Sequence, residues 1–164
     1  MKKGYNFFGF LFIAVLGTLL HFLYGWCSNN PIVGTFSAIN ESTWEHLKLF
    51  YFPFLIYSVY EYYRYGKEIC GFFSIKLKSL LLNLGFIIVF FYTYRGILGF
   101  DIGFLNIAEF FIAIGISRIY ESKAVIVCNK KRDKYSLISI LIIGLLFVIF
   151  TFITPPLGIF AEPT

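Results

Sequence analysis

Long apolar stretches alternate with short charged segments along the chain. Five stretches stand out, at roughly residues 5–24, 44–63, 77–94, 104–120 and 137–154. A helix needs about 20 mostly apolar residues to cross a hydrocarbon core about 30 Å thick. Each stretch is expected to be such a helix, because a span in lipid has to satisfy its own backbone hydrogen bonds. The expected fold is all-α: a polytopic membrane helix bundle of five transmembrane helices, forming one domain over residues 1–164. Pro53 lies inside the second stretch, where it removes a hydrogen bond or kinks the helix. A four-span arrangement with one re-entrant segment is the alternative, and whether the 25–43 connection re-enters the bilayer stays open.

Lysine and arginine mark the ends of these stretches and orient them. Twelve of the fourteen fall in the N-terminus, the second connection and the fourth connection. They are Lys2, Lys3, Arg64, Lys67, Lys76, Lys78, Arg118, Lys123, Lys130, Lys131, Arg132 and Lys134. The third connection has only Arg95, and Lys48 lies inside a span. The excess of positive charge on cytoplasmic loops then places the N-terminus inside and the C-terminus outside. Trp26 and Trp44 flank the outer end of the first hairpin, and five tyrosines between Tyr57 and Tyr65 crowd the inner end of the second span. Both positions suit amphipathic rings.

Composition changes little in this picture. Apolar residues make up 59% of the chain and charged residues 14%, against about 25% in a soluble domain. A mean hydropathy of +0.78 leaves no room for a separate soluble domain. The net charge of +5 does not indicate nucleic acid, because the basic residues sit at helix ends rather than on one face. The expected partner is the lipid bilayer, with a lipid-type substrate and a homo-oligomer both open.

Residues Met1–Cys27 imitate a secretory signal but lack a small-x-small cleavage site, and are read as an uncleaved first span. Cys27 would stand alone outside, with Cys70 and Cys128 in the cytoplasm; no intrachain disulfide is expected. No metal-ligand spacing is present, and cofactors are unassigned. The basic run 130–134 reads as a stop for the adjacent span. The sequon Asn40-Glu41-Ser42 abuts the membrane and is discounted as a glycosylation site.

Ionisable residues inside spans are rare and are functional candidates by default. Here they share a depth near the outer face. Lys48 and Glu109 lie early in the second and fourth spans, about 6–8 Å below the outer surface at 1.5 Å per residue. His21 lies near the outer end of the first span, Glu45 and His46 are slightly shallower, and Arg95 closes the third span on the same side. Asn106, Glu109, Ala113 and Ser117 form one stripe of the fourth span, and Ala14, Gly17, Thr18 and His21 one face of the first. The catalytic candidates are His46, His21, Glu109 and Glu45; the substrate-binding candidates are Lys48, Arg95, Asn106 and Trp44. Simpler roles compete for several. Ser42 and Glu45 match a capping box. Lys48 and Glu109 match a buried ion pair. Glu41 is expected in solvent, favoured by the positive helix end. Asn83, deep in the third span, matches interhelical hydrogen bonding.

The stretch Asn40-Glu41-Ser42-Thr43-Trp44-Glu45-His46-Leu47-Lys48, together with Gly17-Thr18-Leu19-Leu20-His21, resembles a family of small bacterial integral membrane proteins classed as a domain of unknown function. The tail, Pro155-Pro156 and then Phe160-Ala161-Glu162-Pro163, is similar to that family's C-terminal pattern. The resemblance implies a multi-pass fold in a bacterial cytoplasmic membrane and supplies no activity.

Three function classes stay open. Histidine and carboxylate side chains suit an outer-leaflet enzyme, a hydrolase or transferase acting on a lipid-type substrate, with or without a metal. Intramembrane charge also suits a transporter or channel component. Below the outer layer, however, the sequence offers only Asn83, Ser79 and Ser117 to such a route. A structural or interaction protein, in which the layer fixes helix register, is the third.

Overall fold

A computed structural model describes residues 3–125 and 127–162. Lys2 of the charge count and Pro163 of the tail motif lie outside these. Among the described residues the chain forms six helices and no strand. They are α1 (Lys3–Trp26), a single turn α2 (Pro31–Gly34), α3 (Thr43–Arg64), α4 (Phe72–Leu98), α5 (Gly103–Lys123) and α6 (Lys130–Phe152). The five long helices match the five apolar stretches. They start and stop where local chemistry allows. Ser42 caps α3 and Asn129 caps α6, each accepting from a first-turn backbone N–H. Gly99 ends α4 in the left-handed region at φ 80°, its N–H closing on the Arg95 carbonyl at 2.8 Å.

The interior is built around α3. Helix α1 packs against α3 and α5, and α4 against α3, α5 and α6. Twelve of the 22 residues of α3 are buried. Its Leu47, Phe50, Tyr51 and Phe54 meet Ile13 of α1, Leu80 and Ile87 of α4, Ala113 and Ile114 of α5, and Phe147 of α6 in one core. Gly17 lets α1 approach α3 closely, since a Cβ there would stand 2.5 Å from the Leu49 carbonyl oxygen.

Outward faces are apolar instead of charged. Phe8, Leu11, Val15 and Leu19 of α1 and Leu141, Ile142, Leu145 and Ile149 of α6 are exposed in long rows. Four helices, α1 from Phe7, α4, α5 and α6, are long and apolar enough to cross a membrane. Helix α3 has the length but is less apolar. The cause is its position, because an inner helix surrounded by others can carry Glu45, Lys48 and Glu61 as buried, paired groups.

One expectation fails here. Cys70 and Cys128 form a disulfide across a sequence separation of 58 residues. None was expected, because a cytoplasmic location keeps thiols reduced. The bundle lays the α3–α4 and α5–α6 connections side by side, with the two Cα atoms 5.0 Å apart. Cys27 is free and exposed. The 27–42 connection, whose path the sequence left open, packs against the bundle. Ser37 is fully buried, bonding the Leu20 carbonyl and accepting from the Tyr24 N–H at 3.1 Å. The connection therefore folds back over the α1 and α3 ends.

Candidate functional site

At the end of the bundle where α1 finishes and α3 begins, three side chains converge. His21 comes from the last turns of α1, His46 from the first turn of α3, and Glu41 from the connection just before Ser42. One ligand atom from each lies within 4.8 Å of the other two. His46 Nε2 is 3.4 Å from Glu41 Oε2, and His21 Nε2 is 3.9 Å from Glu41 Oε1. The two imidazole rings lie 5.3 Å apart between centroids. Both histidines are half-buried and Glu41 is exposed. Glu41 was expected to be merely solvated; the return of the 27–42 connection brings its carboxylate beside the Nε2 atoms of both rings. The neighbouring His46 holds the Glu41 carboxyl below the usual carboxylate range.

The protonation of His46 follows from its other nitrogen. Nδ1 lies 3.0 Å from the Ser42 carbonyl oxygen, which can only accept, so Nδ1 carries the proton. In the neutral ring Nε2 is then an acceptor, and it faces a carboxylate oxygen. Two acceptors at 3.4 Å repel unless a proton or a cation lies between them.

Glu45 and Lys48 belong to a different arrangement. Lys48 does not pair with Glu109. Its Nζ bonds Glu45 Oε2 at 2.6 Å, Thr151 Oγ1 at 2.8 Å and the Gly34 carbonyl at 2.9 Å, so all three donors are used. Glu45 Oε1 also accepts from the Thr151 hydroxyl, and Oε2 from the Ile39 N–H at 3.0 Å. The pairing follows from i,i+3 spacing on one helix, which outcompetes a partner on another. Half of the expected capping box forms: Ser42 accepts from the Glu45 N–H, while the Ser42 N–H goes to Asn40 instead of Glu45. The Glu45–Lys48–Thr151 cluster ties α3, α6 and the connection together, facing away from His46.

Of the remaining candidates, Glu109 lies within electrostatic reach of His46, and the others turn elsewhere. Glu109 is buried on α5, and its Oε2 has no hydrogen-bond partner among the described residues. Asn106 donates to Asp101 at 2.8 Å and contacts Tyr94, whose hydroxyl donates to Asp101 at 2.6 Å, closing the α4–α5 turn. Burial there raises the Asp101 carboxyl, but the hydrogen bonds from Tyr94 and Asn106 outweigh it and hold the group below its ordinary value. Arg95 lies over the Phe91 ring. Trp44 packs among Phe147, Phe150 and Phe160, which seats the tail motif on α3 and α6.

The sequence reading missed a second polar cluster at the opposite end. Glu61, Lys76, Arg118 and Glu121 are buried together. Lys76 contacts Glu61 and lies 2.8 Å from Glu121; Arg118 lies 2.7 Å from Glu61 and 2.6 Å from Glu121. Lys76 and Arg118 had been counted as loop charges. Helix α4 begins at Phe72, before its expected start, and takes Lys76 into the interior; Arg118 lies within the expected fourth span and turns inward. Aromatic rings line the cluster, with Lys76 over Phe54 and Phe72 and Arg118 over Tyr57. The Tyr65 hydroxyl beside it is raised by burial and by Glu61.

A helical bundle with apolar outer faces and polar clusters at both ends defines a class compatible with multi-pass membrane proteins. The chain belongs to a family of unknown function, DUF6512, whose model matches residues 1–164. No curated protein and no solved structure matches the chain.

Proposed function

We propose that this is a five-span membrane protein whose His21–Glu41–His46 cluster binds a divalent transition metal at the non-cytoplasmic face. The reading rests on one observation: the acceptor nitrogen of His46 faces the Glu41 carboxylate, with a second imidazole alongside. Two histidines and one carboxylate are a donor set of catalytic zinc sites, which leave one position open. Metal bonds of about 2.0–2.1 Å set tetrahedral donors roughly 3.3–3.4 Å apart. The His46–Glu41 distance matches this, and the 3.9 Å from His21 closes with a small rotation. The Ser42 carbonyl supplies the outer hydrogen bond that orients a ligating imidazole.

Orientation follows from charge. Among the described residues, with Lys48, Lys76 and Arg118 removed as buried, nine of the remaining lysines and arginines lie toward the disulfide end and only Arg95 toward the histidine end. The cluster thus opens at the headgroup level of the outer leaflet. A metal held by His21, Glu41 and His46 would supply Lewis-acid chemistry toward an ester or phosphoryl oxygen, which suits an outer-leaflet hydrolase or transferase acting on a lipid-type substrate.

Elemental analysis and zinc titration of the purified protein test the site. We expect about one metal per chain, lost in both His46→Ala and His21→Ala. Protein that binds no Zn²⁺, Co²⁺ or Mn²⁺ would reduce the cluster to an imidazolium–carboxylate pair and end the reading.

A further inference from the structure

From the disulfide-end cluster toward the histidine end, the α4–α5 interface carries a row of buried polar side chains, of which Ser79, Asn83, Ser117 and Glu109 belong to neither cluster. On α4 they are Lys76, Ser79 and Asn83, at i, i+3 and i+7, which places them within about 60° of one helix face. On α5 they are Glu109, Ser117 and Glu121, spaced with Ala113 at intervals of four. All six polar groups are buried, with Ser79, Asn83 and Ser117 at 0% exposure.

Two contacts set the antiparallel register. Lys76 meets Glu121, and the Ser79 hydroxyl donates to the Ser117 carbonyl at 3.2 Å. One turn further on, the same register brings Asn83 level with Ala113, whose methyl leaves the facing position small. Glu109 stands one turn above that. Successive polar levels are thus about 6 Å apart. One water accepting and donating at about 2.8 Å on each side spans that separation.

Unsatisfied atoms occur along this row. Both amide atoms of Asn83, Glu109 Oε2 and Glu121 Oε1 lack a hydrogen-bond partner among the described residues. So does the Ser58 hydroxyl on α3, three residues before Glu61 in the inner cluster. Buried polar groups left open in this way take ordered water as their partner. In a bundle facing lipid, an unpartnered amide at mid-depth has no stabilising role to offset its cost.

We propose that the α4–α5 interface holds a file of water that conducts protons between Glu109 and the Glu61–Lys76–Arg118–Glu121 cluster. The carboxylates at the two ends accept and release protons, and the serines and Asn83 orient the water between them. Each hop makes one O–H bond and breaks another, so no electron carrier or co-reactant is needed. The function is separate from metal binding and stands without it.

Proteoliposomes loaded with a pH-sensitive dye, with an imposed pH gradient and valinomycin to clamp the potential, test the file. Wild-type protein is expected to collapse the gradient at least tenfold faster than protein-free vesicles. Asn83→Leu is expected to return the rate to within about twofold of protein-free vesicles. Leucine replaces an amide that has no partner, so the variant keeps its fold, which its gel-filtration profile checks. Ser79→Ala, a smaller change, should slow the flux at least threefold and decides the question should Asn83→Leu aggregate. Wild-type flux no faster than protein-free vesicles overturns the proposal. So does a correctly eluting Asn83→Leu, or a Ser79→Ala, that conducts like wild type.

Discussion

The two ends of the bundle hold the same kinds of residue and use them in opposite ways. At the disulfide end, two acids and two bases are buried and paired in a closed square with aromatic walls. At the histidine end, two imidazoles converge on an exposed carboxylate that has no buried base to balance it. A cluster of two acids and two bases ties its helices together and carries no excess charge for a metal ion to neutralise. An open cluster with unbalanced acceptors stabilises the fold little and offers a cation a place.

The contrast breaks first, if it breaks, at the closed end. Glu61→Ala leaves Lys76 and Arg118 facing one another without that acid in the interior. Removing one partner of a buried pair costs about 3–5 kcal/mol. Thermal unfolding in detergent should therefore show a large fall in midpoint. A small fall would mean that water already reaches the cluster.

The disulfide ranks next. Closing a loop of 58 residues is worth about 4 kcal/mol in the chain-entropy account, and about 2–4 is typical. Reductant, or Cys70→Ser, should lower the midpoint by the corresponding amount. The same bond sharpens the orientation. If the basic end faces the cytoplasm, thiol trapping in growing cells will find both cysteines reduced. Finding them oxidised in the cell would turn the bundle over and put the histidines inside.

At the open end the stability effect shrinks and the binding effect grows. His46→Ala should change stability by less than about 1 kcal/mol, since its partner Glu41 is exposed. Yet it should weaken zinc binding by at least tenfold in calorimetry. The smallest effect belongs to Asp101, in the turn on the same side. Its carboxyl is held below its ordinary value by Tyr94 and Asn106, so its stabilisation is present above the unfolded value near pH 3.9. That stabilisation disappears as pH falls through the lower folded value. Asp101→Asn at pH 7 should cost less than about 1 kcal/mol, and progressively less as the pH is lowered.

Much of the fold was legible because span length and charge placement are one-dimensional signals. All five long helices overlap the apolar stretches, and Ser42 caps α3 as its spacing suggests. The site was legible only in part. His21 and His46 were marked by rarity inside spans, and the structure brings them together. Glu41 was passed over because it lies outside any span. Lys76 and Arg118 were taken as topology because a basic residue at a span end serves orientation equally well. A weak signal for the inner cluster did exist: Arg118 and Glu121 at i,i+3 on a helix that also carries Glu109 and Ser117 on nearby faces.

The chain by itself determined its helical segments and its charge asymmetry, since each depends on neighbours within a turn or two. Tertiary structure decided the partners. Lys48 took Glu45 instead of Glu109, Cys70 found Cys128, and Glu41 reached the histidines only because the 27–42 connection folds back. Ion pairs, disulfides and ligand sets depend on separations of a few ångströms between residues far apart in sequence. Those separations exist only once helix packing has fixed which faces meet and at what register.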